Sequence, residues 1–140
     1  MNLGEGKSEF LTDIARGYDS RILSASFSTL RERRGEIWKA KPPYDDGLLR
    51  IVIDSTDMIC VHQILFVFFH EVGHAVLGHC DPTPILRSPE LETAANYWAL
   101  RKMGILDHKG EVKMTSETCY HCIIQHSKTC LKSLNFEGLA

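Results

Sequence analysis

The chain has almost no excess charge of either sign: 16 Lys and Arg stand against 18 Asp and Glu, leaving −2 over 140 residues. That balance removes the electrostatic reason to expect direct nucleic-acid binding or attachment to an anionic membrane. The one basic cluster, Arg31-Glu32-Arg33-Arg34, is broken by an acid and has the character of a solvated face. Apolar runs long enough to span a membrane are also lacking. Residues 58–77 come nearest, but His62, Gln63, His70, Glu71 and His74 fall inside them, whereas a membrane helix needs about 20 predominantly apolar residues. A buried helix is expected instead. The first twenty residues carry Glu5, Glu9, Asp13 and Asp19 and no apolar core, so no secretory signal is supported and a cytoplasmic location is expected. The five cysteines are odd in number, which suits thiols or metal ligands better than a disulfide framework. With no repeat, low-complexity tract or linker, residues 1–140 are expected to form a single domain. A domain of that length buries roughly two thirds of the surface its unfolded chain exposes.

What is present is a set of well-punctuated segments. Phe10, Leu11, Ile14 and Tyr18 recur at helical spacing behind Ser8, a suitable cap, and predict a helix over 8–18. Residues 22–27 alternate apolar with small polar side chains, a pattern that fits a short strand or a continued helix. Two apolar runs, 35–39 and 48–54, flank Pro42-Pro43-Tyr44-Asp45-Asp46-Gly47 and predict adjacent strands, the second with Leu49, Ile51 and Ile53 on one face. A helix over 59–77 follows, capped by Ser55 or Asp57 and ended by Gly78; it is apolar nearly all round, so it belongs in the centre. Asp81-Pro82-Thr83-Pro84 breaks the chain. Ser88-Pro89 then opens a further helix through Leu91, Ala94, Ala95, Trp98 and Leu100 towards Gly104. A last helix is expected over 117–134, with Thr115 or Ser116 as its cap. The fold class is α+β: a small sheet packed on the central helix, a following glutamate-bearing helix and a C-terminal helix.

The chemistry concentrates in His70-Glu71-Val72-Gly73-His74. On a helix His70 and His74 lie one turn apart and can bind one zinc ion (Zn2+), while Glu71, about 100° further round, can take a proton from an attacking water. A catalytic zinc site needs a third protein ligand. The three-histidine arrangement fails here: Cys80 occupies the third position, His79 is one residue short, and Leu77 replaces the usual glycine. Glu92 is the preferred ligand, because Asn96 follows it by one turn and can orient a ligand histidine. Glu90 competes, but Ala94 follows it, and a carboxylate in the first turn is favoured by the helix dipole alone.

His79 can stabilise an oxyanion or serve structure at the helix end, and Tyr44 and Tyr97 are further oxyanion donors that nothing in the sequence favours. Cys119, Cys122, His126 and Cys130 have the spacing of a second zinc site but also of one helical face. On a straight helix Cys119 and Cys130 are about 16 Å apart, so a packed face is the reading preferred.

The run from His70 to His79, followed by Glu92-x-x-Ala95-Asn96-x-Trp98-Ala99, resembles the ImmA/IrrE family of gluzincin metallopeptidases, whose members read H-E-x-G-H-x-x-L-x-H and then E-x-x-A-N-x-F-A. The resemblance covers about residues 50–103. It implies a compact zincin-like α+β domain, zinc bound by His70, His74 and Glu92, Glu71 as general base, and a helix-turn-helix repressor as protein substrate. Ala94 stands where members often carry a second acid, and Arg101-Lys102-Met103-Gly104 where they carry L-L-x-P. Two functions are expected from these residues. One is zinc-dependent hydrolysis of peptide bonds, with the substrate strand pairing to the free edge of the sheet. The other is a zinc-containing module that docks a repressor or a toxin without cutting it.

Overall fold

The computed structural model describes residues 4–40, 43–44, 46–58 and 61–105. The helix expected over 117–134, its caps Thr115 and Ser116, and the set Cys119, Cys122, His126 and Cys130 lie outside the described residues. In order come β1 (Gly6–Lys7), α1 (Glu9–Tyr18), β2 (Ile22–Phe27), β3 (Gly35–Trp38), β4 (Leu49–Ile53), α2 (Val61–Val76) and α3 (Pro89–Lys102). The described residues thus form an α+β fold of three helices and one mixed four-stranded sheet, ordered β1-β2-β4-β3.

Ser8 caps α1 from an extended conformation, its Oγ accepting the Leu11 N–H at 3.2 Å. Thr12 is buried one turn on; its hydroxyl donates to Ser8 O and accepts the Ala25 N–H at 2.9 Å, which ties α1 to β2. Residues 22–27 are a strand, paired parallel to β4 from Ile22↔Leu49 to Phe27↔Ile53. The register shifts between Ile22 and Ser24, so Ile22 and Ala25 are both buried although they are three residues apart. That irregularity spoils the period of two and explains why the sequence pattern is ambiguous there. β3 and β4 pair antiparallel, Gly35↔Ile53 to Trp38↔Arg50. Ile37, Leu49, Ile51 and Ile53 face the core, while the Arg50 guanidinium lies 5.0 Å over the Trp38 ring on the outer face. β1 has no sequence signal: two exposed residues show no periodicity, and they form a strand only because Ser26 and Phe27 offer a ladder.

α2 lies between the sheet and α3, with Ile64, Phe66, Val67, Phe68, Val72 and Ala75 buried. The turn that precedes it has the Met58 N–H on Ser55 O at 3.1 Å. Residues 59–60 are outside the described set, and the expected capping by Ser55 or Asp57 falls on that boundary. α3 begins as the sequence predicts: Ser88 is extended, its Oγ accepts the Leu91 N–H at 3.3 Å, and Pro89 takes the first turn. No helix among the described residues is long and apolar enough to cross a membrane.

Two glycines set how closely the layers approach. A Cβ on Gly73 would stand 3.3 Å from both Ala95 O and Trp98 Cε3, so α2 and α3 meet nearly backbone to backbone. A Cβ on Gly35 would fall 2.3 Å from Val67 Cγ1, a buried β-branched side chain with little freedom to yield. Gly35→Ala is therefore expected to cost about 1–3 kcal/mol of stability through overpacking. Urea denaturation would measure it, and an unchanged midpoint would contradict this account of the β3–α2 contact.

Candidate metal centre

Helical geometry sets His70 and His74 one turn apart on α2, with ring centroids 4.6 Å apart and Nε2 to Nε2 3.0 Å. The close α2–α3 approach then carries Glu92 to the pair: its Oε2 lies 2.8 Å from His70 Nε2 and 3.3 Å from His74 Nε2. Ligand atoms held about 2.0–2.1 Å from a tetrahedral ion stand roughly 3.3 Å from one another. The triangle made by these three atoms is of that size, slightly contracted.

Glu71 also lies near. His70, Glu71 and His74 each offer a ligand atom within 4.8 Å of the others, close enough to hold a metal ion. The histidines are common to both sets, and the carboxylate differs. Glu71 Oε1 is 4.0 Å from His70 Nε2, whereas Glu92 Oε2 is near both imidazoles, so distance favours Glu92 as the third donor. Glu90 is exposed on the first turn of α3.

The hydrogen bonds around the triangle also bear on an ion. Asn96 Oδ1 accepts the Nδ1–H of His70 at 2.6 Å. A neutral His70 then has only a lone pair at Nε2, and that lone pair faces a carboxylate oxygen. Two acceptors at 2.8 Å need a proton or a cation between them. Without an ion the proton serves. Burial opposes a charge on His70, but Glu92, Glu71 and Asn96 together outweigh it and hold the imidazole above its usual range. Hydrogen bonds from His70 and His74 hold Glu92 far below the usual carboxylate range.

Glu71 is 4% exposed, and its Oε2 has no hydrogen-bond partner among the described residues. Burial pushes its carboxyl up, and His70 and His74 offset part of that shift. A carboxylate raised in this way is a better proton acceptor than a solvated one. Strand β3 runs directly past it, since a Cβ on Gly35 would be 3.4 Å from Glu71 Oε1. The Asp54 N–H bonds Arg34 O at 2.9 Å, so by antiparallel alternation Arg34 and Glu36 turn their amide groups to β4, and Gly35 and Ile37 turn theirs to the open edge. Arg87 Nη2 donates to Ile37 O there at 3.0 Å.

The remaining candidates divide. Cys80 is buried, and burial followed by the Glu71 charge pushes its thiol up to about 12; its sulfur is not among the ligand atoms grouped at His70, Glu71 and His74. Tyr44 is 82% exposed, and the Tyr97 ring lies under the Arg101 guanidinium, 5.9 Å away. His79 is buried with its Nδ1 2.9 Å from His74 Nδ1. Its place at the helix end is legible in the sequence, but neither this contact nor the approach of Gly35 to Glu71 carries a sequence signal.

These shifts set a direction for stability with pH in the ion-free protein. His70 and Glu71 both hold a proton more tightly when folded. The stability they contribute is complete below their ordinary values of 6.5 and 4.5 and is lost as pH rises through the raised values. Glu92 works the other way and loses its contribution only when pH falls through its depressed value. Burial, then the His74 charge, pushes the His79 imidazole down, so its cost at low pH is relieved as pH rises towards 6.5, and this relief opposes their loss. Above that value only the losses remain, and thermal melts in chelator should give a Tm that falls from pH 7 to pH 8; a rising Tm there would contradict the assignment.

Comparison with known proteins adds no relative: no family model, no curated protein and no solved structure matches the chain.

Proposed function

We propose that this chain is a zinc-dependent metallopeptidase of the ImmA/IrrE type, with a zincin-like arrangement of its described elements. The observation that carries the reading is the triangle of His70 Nε2, His74 Nε2 and Glu92 Oε2, set beside a buried carboxylate, Glu71, that has an unpartnered oxygen. Two imidazole nitrogens and one carboxylate oxygen are a donor set suited to zinc with an open position. A bound zinc ion supplies Lewis-acid polarisation of the scissile carbonyl.

The chain's own residues do the rest. His70, His74 and Glu92 hold the ion, and Asn96 fixes the His70 tautomer so that Nε2 faces inward. Glu71 takes one proton from the attacking water as its oxygen bonds to the carbonyl carbon, then passes that proton to the departing amine nitrogen as the C–N bond breaks. The outward amide groups of Gly35 and Ile37 offer an extended substrate a strand to pair with alongside Glu71, once Arg87 leaves Ile37 O. A helix-turn-helix repressor as the substrate follows from the sequence resemblance.

The test is zinc content after dialysis, together with mass-spectrometric detection of cleavage of an unstructured protein substrate. One zinc and chelator-sensitive cleavage are expected. No zinc would refute the reading, and one zinc with no cleavage of any substrate would favour a module that docks its partner intact.

A further inference from the structure

Gly78 stands at φ +83°, a left-handed conformation that costs glycine little, and two backbone bonds close α2 around it. The Gly78 N–H bonds Ala75 O at 3.1 Å and the His79 N–H bonds His74 O at 3.0 Å, the pattern of a Schellman motif. This closure returns the residue after the glycine onto the residue five before it, a contact that two apolar side chains often fill. Here both are imidazoles. His74 and His79 are 1% and 6% exposed, their ring centroids are 5.1 Å apart, and the Nδ1 atoms are 2.9 Å apart. The turn is pinned from outside as well: the Leu86 N–H donates to His79 O at 2.9 Å, and Lys39 Nζ donates to Cys80 O at 2.9 Å.

We propose that His79 is the positioning residue for His74. Its Nδ1 accepts the Nδ1–H of His74, which fixes the ring and the tautomer that turns His74 Nε2 towards His70 and Glu92. This rests on the metal-centre reading and extends it. Two nitrogens at this distance share one proton, and only a proton on His74 Nδ1 leaves its Nε2 free as a donor of electrons. The two ligand histidines are then oriented by different devices. Asn96 reaches His70 from the neighbouring helix, whereas His79 reaches His74 through the C-terminal closure of the same helix. A neutral acceptor also avoids adding a third carboxylate to a site that already holds Glu71 and Glu92.

The test compares three variants of the full chain. His79→Asn keeps an acceptor oxygen near the place of Nδ1, His79→Gln carries it one bond further, and His79→Leu fills the space without one. Zinc affinity is read by competition with a chromophoric chelator, ligand geometry by the visible spectrum of the cobalt-loaded protein, and folding by thermal melts. Loss of an orienting partner lowers metal affinity by about 10–100-fold, so His79→Leu and His79→Gln should fall in that range with altered cobalt spectra, while His79→Asn stays at the wild-type value. If His79→Leu does not fold, the Asn and Gln pair decides. Wild-type affinity and spectrum in both Leu and Gln variants, or in Gln alone where Leu is unfolded, would overturn the positioning role and leave the metal centre standing. A wild type that binds neither ion would overturn the metal centre itself, and the inference with it.

Discussion

Glu71→Gln is expected to lower peptide-bond hydrolysis by about 10²–10⁴-fold, the usual contribution of a general acid–base group, while zinc content stays at the wild-type level. The amide has the shape of the carboxylate and fits the same buried site, but it cannot accept the proton of the attacking water. Glu71 Oε2 has no partner to lose among the described residues, so the exchange disturbs little around it. A fluorogenic peptide assay beside metal analysis separates the outcomes. Cleavage at the wild-type rate would refute Glu71 as the base. Unchanged biological activity with zinc retained, in a protein that never cleaves, would point to the docking module.

Glu92→Ala is expected to remove the ion, a larger effect than the roughly 10–100-fold weakening that follows loss of an orienting partner, whereas Glu90→Ala keeps it. Glu92 Oε2 is the oxygen near both imidazoles, and no other group on α3 takes its place there among the described residues. The rival ligand set makes the opposite forecast. If His70, Glu71 and His74 hold the ion, Glu92→Ala binds it still and Glu71→Gln does not. Stoichiometry on the two variants thus decides between carboxylates that a single structure brings within reach of the same histidines.

Features that depend on neighbours along the chain are legible in the residues alone. The Ser8 and Ser88 caps, the helices behind them, Gly78 as a terminator, the β3–β4 pair about a proline-rich turn, and the pairing of His70 with His74 all follow from i, i+3, i+4 and alternating spacings. That Glu92 and Asn96 act together on a histidine was legible for the same reason, since one turn of helix separates the two residues; that the histidine is His70 was not. The rest comes from packing between elements. That β2 is a strand, parallel to β4, and that β1 exists at all, depends on ladder partners far away in sequence. The distance of Glu92 from the two imidazoles depends on how closely Gly73 and Ala95 let α3 approach α2, and the environment of Glu71 on how closely Gly35 lets β3 pass. The His74–His79 contact is intermediate: Gly78 announces the closure, but burial of both rings is a property of the packed core. Local spacing orients a side chain on its own element, whereas the distance between elements is set by the side chains that must fit between them.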